Sequence, residues 1–283
     1  SHAVFQNARN FNQNIRSWDI STVSDMTGTF HNARRFNQPL HSWDTSSVTS
    51  MWNIFSFAHL FNQPLHSWDT SNIVATYGIF WEAHNINHPV GLWDISTVSD
   101  MTGTFNNARR FNQPLASWDT SRAIIMKNLF LSAHSFNQPV ESWDVARVSD
   151  LKFAFYDAKS FNQPLSKWDT SKVTTMPSMF AFALSFKQPL NALATWDVAR
   201  VQSLENSFYE TPFERNNSVM CDSLWVTAAA KRFYSSSFVE RVATNPCEFT
   251  DLTLTKTVVD EWLTNSNPKT RGPMVPLGHG TEA

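Results

Sequence analysis

The chain has 283 residues, 42% of them hydrophobic, enough for one elongated array or two ordinary globular domains. A formal net charge of −2 argues against a nucleic-acid partner, which would need a basic face. No run of about 18 or more apolar residues occurs, so no transmembrane segment is expected.

The chain opens inside a repeat, because Phe5-Gln-Asn-Ala-Arg matches Phe30-His-Asn-Ala-Arg. A preceding segment, removed by processing, is the expectation. A Trp-Asp pair then recurs at Trp18, Trp43, Trp68, Trp93, Trp118, Trp143, Trp168 and Trp196. A fixed period of this length marks a solenoid whose repeats cannot bury their apolar faces alone. Counted from the Phe of Phe-Asn-Gln-Pro, coils begin at Phe11, Phe36, Phe61, Ile86, Phe111, Phe136, Phe161 and Phe186. The eighth carries an insertion before Trp196. Residues 20–46 and 95–121 are nearly identical, which points to copying of a block of repeats.

Within one coil, Val48, Met51, Phe55, Ala58, Phe61, Leu65 and Trp68 recur at spacings of three or four. Such spacing predicts a helix from Val48 to Ala58, ended before the Pro of Asn-Gln-Pro-Leu. A short extended segment over Leu65–Trp68 is expected to pair with its neighbours as a narrow parallel sheet. The repeat solenoid is assigned residues 1–211. Residues 212–264, where the period disappears, are expected to form a helical C-terminal cap over the open end, and residues 265–283 an extended or disordered tail.

The repeat Phe-Asn-Gln-Pro-Leu-x-x-Trp-Asp-Thr-Ser-x-Val-x-x-Met-x-x-x-Phe-x-x-Ala resembles the 25-residue surface-protein repeat of mycoplasma-type lipoproteins, expanded also in unicellular algae. Through it the chain is similar to BspA-like leucine-rich repeats. The resemblance covers about residues 1–211. It implies an α/β repeat solenoid: a leucine-rich-repeat-like, right-handed coil stack with one short strand and one short helix per repeat. It also implies surface display, adhesion or protein contact, and carries no catalytic residues. Lys187 and the insertion depart from the pattern.

The Asp column (Asp19, Asp44, Asp69 and onward) is read as caps on following amides, since calcium would need more oxygen ligands and turn glycines. The column Asn12, Asn37, Asn62, Asn87, Asn112, Asn137 and Asn162 is read as satisfying backbone groups between coils. Phe and Trp columns are core. His41 aligns with His66, and His59 with His84 and His134; two imidazoles without a third ligand are weak evidence, so no metal and no cofactor is expected. No phosphate loop, Gly-x-Ser-x-Gly, His-Glu-x-x-His or Cys-x-x-Cys occurs, and no enzyme is expected.

Specificity is then expected where the copies differ. The helix positions of Trp52 and Ser56 are read as exposed, the first varying through Thr27, Trp52, Tyr77, Thr102, Lys127 and Lys152. Trp52 and Tyr77 should lie side by side on neighbouring coils, with Trp81 a turn on and Phe57 at the border. These, with the adjoining acid Glu82, make the candidate partner-binding patch. Residues 36–108 carry five acids and no Lys or Arg, whereas residues 109–200 carry eleven basic and seven acidic residues. Such asymmetry orients a partner. Cys221 and Cys247, both in the cap, are expected to form a disulfide. With the sequon Asn216-Asn-Ser218 they lean toward an extracellular, cell-surface or lumenal location. The reading that follows is a non-enzymatic surface or secreted recognition module binding protein or glycan through the solenoid face. The alternative is a scaffold subunit bridging components of a larger multi-protein assembly.

Overall fold

The computed structural model describes residues 3–188, 196–198, 200–203, 207–208 and 210–212, all within one unit, Ser1–Asn216. The expected cap, tail and disulfide lie outside the described residues.

Successive repeats lie on one another in register, and their aromatic side chains make the core. Phe30 stacks on Phe55 at 5.5 Å, Phe55 on Phe80 at 5.9 Å and Phe80 on Phe105 at 5.7 Å. The series continues to Phe130, Phe155 and Phe180 at 5.5 Å per step. These separations are those of favourable ring pairs. Each Trp of the Trp-Asp pairs reaches back one coil: the indole N–H of Trp118 donates to the Val90 carbonyl at 3.0 Å and that of Trp143 to Leu115 at 2.9 Å. Burial follows from that reach. Trp43 through Trp196 are 2–4% exposed, but Trp18, with no described coil behind it, is 47% exposed. At Trp196 the bond to Leu165 spans 31 residues in place of 28, and the Trp column continues from Trp168 to Trp196 at 6.2 Å.

The expected helix is not there; among the described residues there is none. Residues 26–33 and their counterparts form a chain of tight turns. Met26, Gly28, Phe30 and Asn32 donate their amides to Ser50, Trp52, Ile54 and Ser56 of the next coil, at 2.7–2.9 Å. Between them Thr29, His31 and Ala33 donate to Met26, Gly28 and Phe30, three residues back. A helix would send every amide four residues back, leaving none for the neighbouring coil. Two residues per coil also take left-handed backbone, which helical dihedrals exclude. They are Gly28 and Asn32, then Asn53 and Phe57, Gly78 and Glu82, Gly103 and Asn107, with φ between 53° and 62°. The turn chain still drives apolar side chains inward at steps of three and four, which is why the sequence imitates a helix.

The strand expectation is also displaced. Leu65–Trp68 closes on itself, the Trp68 amide donating to the Leu65 carbonyl at 3.1 Å. The parallel pairing lies elsewhere, as isolated bridges from Asp25 to Ser50 and along Ala75, Asp100, Ile125, Asp150 and Thr175.

Polar columns close the rims. Asn12 Oδ1 accepts the Asn37 amide at 2.9 Å, Asn37 accepts that of Asn62, and the ladder runs on to Asn162 and the Lys187 amide at 3.0 Å. Asp44 and Asp69 each accept both the amide and the hydroxyl of the Ser two residues on. These bonds, the hydroxyl's first, hold the carboxyls of Asp19, Asp44, Asp69, Asp119 and Asp169 below their ordinary value.

Candidate functional site

The turn chain presents two kinds of surface position. One lies just before the first left-handed residue (Thr27, Trp52, Tyr77, Thr102, Lys127); the other is the second left-handed residue itself (Asn32, Phe57, Glu82, Asn107, Ser132, Asp157). Trp52 and Tyr77 take the first place, Phe57 and Glu82 the second, and Trp81 stands just before the second.

Trp52 and Tyr77 are neighbours, as their column requires, with ring centroids 6.3 Å apart and planes tilted by 53°. Trp52 is 46% exposed and Tyr77 is partly so. Trp81 flanks them. Its indole lies over two glycines: a Cβ placed on Gly103 would come within 3.4 Å of Trp81 Cε3, and one on Gly78 within 3.6 Å. Gly78 is at φ +58°, where a side chain would also collide with Asn53 Oδ1. The flat aromatic floor therefore depends on glycines in the left-handed places of two adjoining coils. Ser56, expected on the exposed side, is 1% exposed, whereas the larger Trp81 and Tyr156 at the same repeat place are partly exposed.

Phe57 and Glu82 belong to the other position. Phe57, at φ +59°, packs edge-on to His31 at 5.6 Å and against His59 at 6.4 Å. Glu82, at φ +60°, places Oε2 2.8 Å from His84 Nε2 and accepts the Asn107 amide group at 2.6 Å. A Glu82 carboxylate oxygen also lies within 4.8 Å of a ring nitrogen of His59, whose ring stacks on His84 at 4.6 Å. Burial first, then the charge of His84, holds the His59 imidazole below its ordinary value of 6.5. Burial lowers His31 likewise. The sequence sets the imidazoles in one column but gives no sign that the carboxylate two residues before His84 turns onto its ring nitrogen. The signal that locates it is the run of Asn7, Asn32 and Asn107, which marks a left-handed place that Glu82 also fills.

A second aromatic group escapes the sequence reading. Phe153 meets Tyr156 edge-on at 5.4 Å, Tyr156 meets Phe182 at 5.5 Å, and the Lys152 ammonium lies 5.1 Å from the Phe153 ring centre. Burial, and then the charge of Asp157, pushes the Tyr156 hydroxyl up. Phe153 and Phe182 occupy left-handed places, at φ +55° and +60°, where a strand or helix pattern offers no clue. Cys221 and Cys247 lie outside the described residues. Within the described residues no helix is long and apolar enough to cross a membrane.

No curated protein matches the sequence. A family model described as Mycoplasma protein of unknown function, DUF285, matches it twice, over residues 1–118 and 104–220. The two matches run through the entire repeat array, and the chain belongs to that family.

Proposed function

We propose that this chain is a non-catalytic recognition module, a leucine-rich-repeat-like solenoid of BspA-like kind displayed at the cell surface or secreted. Its stacked coils are the frame, and its partner, a protein or a glycan, docks on Trp52, Tyr77 and Trp81. The observation that carries this reading is the Trp52–Tyr77 pair, held on the surface where most other copies place Thr or Lys. Large, partly exposed aromatics beside a glycine-floored step supply the flat apolar contact that sugar faces and protein hot spots use. The acidic stretch around Glu82 and the basic stretch beyond residue 109 supply orientation.

A glycan array together with affinity capture, run on the wild-type and Trp52→Ser chains, tests this. A ligand class retained by the wild type and lost by the variant is expected. Identical retention by both chains removes the patch from the function.

A second reading, a scaffold subunit in a larger assembly, is favoured by apolar side chains exposed away from that patch. Leu92 is 81% exposed and Val74 56%, at places where other coils carry Ser or Thr. Stoichiometric co-purification that survives Trp52→Ser and fails with Leu92→Ser distinguishes it.

A further inference from the structure

We propose that His59, Glu82 and His84 form a binding site for a divalent transition-metal ion of the zinc or copper class. The three come from adjoining coils. His59 and His84 hold the same place in consecutive repeats, so coil stacking brings their imidazoles face to face, 13° from parallel. Glu82 stands two residues before His84, and its left-handed backbone turns the carboxylate back onto that ring. One ligand atom from each residue lies within 4.8 Å of the other two, and all three side chains are half-buried.

The donor chemistry selects the ion. Two imidazoles and one carboxylate suit zinc or copper, whereas calcium and magnesium demand more oxygens. Bonds of about 2.0–2.2 Å in a tetrahedral arrangement put neighbouring ligand atoms roughly 3.3 Å apart, so the stacked imidazoles must turn from parallel to aim their nitrogens at one ion, which leaves a fourth place for water. Asn107 Nδ2, donating to Glu82 Oε2, orients the carboxylate from outside the set. The charges nearby work in both directions. Arg34 and Arg109 act on His59 and oppose a cation, whereas the Glu82 carboxylate favours one.

The array supplies its own comparison. The column reads Arg34, His59, His84, Arg109, His134 and Lys159, so two histidines follow each other once. Where an acid next occupies the left-handed place, Asp157 meets His134 Nε2 at 2.9 Å and the Lys159 ammonium at 3.8 Å. A lysine in place of the second imidazole leaves that cluster one ligand short and already neutralised.

The test is a zinc titration of the metal-stripped full chain, read by competition with a chromophoric chelator. His59→Ala and His84→Ala are each expected to weaken binding at least tenfold, while His134→Ala leaves it unchanged. Equal zinc affinity in the wild type and the His59→Ala/His84→Ala double variant overturns the site, whether both bind or neither does. Diethylpyrocarbonate labelling of the wild-type chain gives an answer that needs no variant to fold. Zinc should protect His59 and His84 and leave His134 reactive; labelling unaltered by zinc is contrary to the proposal.

Discussion

Two left-handed residues per coil decide what each copy can present. Where they are Gly or Asn the conformation costs little; Phe57, Glu82, Phe153 and Phe182 hold it with larger side chains, which the surrounding ladder bonds stabilise. Gly78 is a demanding place, because its dihedral strains a side chain and a Cβ there would have to displace the Asn53 amide. Gly78→Ala is expected to lower stability by about 1–3 kcal/mol, a downward shift of the thermal midpoint, with the aromatic floor disturbed as well. The capping carboxylates set a pH dependence of definite sign. Their folded values lie below the ordinary 3.8, so their contribution is present above that value and is lost as pH falls through the folded one. Urea midpoints should therefore fall on acidification below about pH 4, and Ser46→Ala with Ser71→Ala should flatten that fall. Each carboxyl is solvent-exposed, so the effect is modest per group and grows with the number of coils.

At the scale of the element, each coil is a series of turns whose alternate amides belong to the next coil. The ladders of Asn12 to Asn162 and of Asp19 to Asp169 were legible in the sequence, because a polar residue repeated at every copy has a recurring backbone partner. The turn chain was not, since Met51, Phe55 and Ala58 keep the spacing that a helix would also need. The discriminating sign was the Gly or Asn at 28, 53, 78, 103 and 128, which a helix interior would disfavour. The Trp52–Tyr77 contact was legible because both residues vary at one repeat position. The placing of Glu82 against His59 was not, because it depends on a dihedral and not on a spacing. Asn137 tests the ladder: its Oδ1 accepts the Asn162 amide at 2.9 Å and the Gln163 side chain at 3.1 Å. Asn137→Ala should cost about 1–3 kcal/mol in a denaturant titration and leave partner binding untouched.

Across the repeat array, stability belongs to what the copies share, and the proposed recognition to what they do not. The shared Phe, Trp, Asn and Asp columns complete one another between neighbours, so substitutions in them act on the unfolding midpoint. Trp52, Tyr77 and Trp81 lie outside those columns, and under the proposed function substitutions there should act on partner binding. The most direct measurement is a binding titration of the captured partner against the Trp52→Ser/Tyr77→Ser chain, at a temperature where both chains are folded. Loss of a central aromatic pair should weaken binding by about 30-fold or more with the thermal midpoint unchanged. Wild-type affinity in that variant, with its fold intact, would contradict the account.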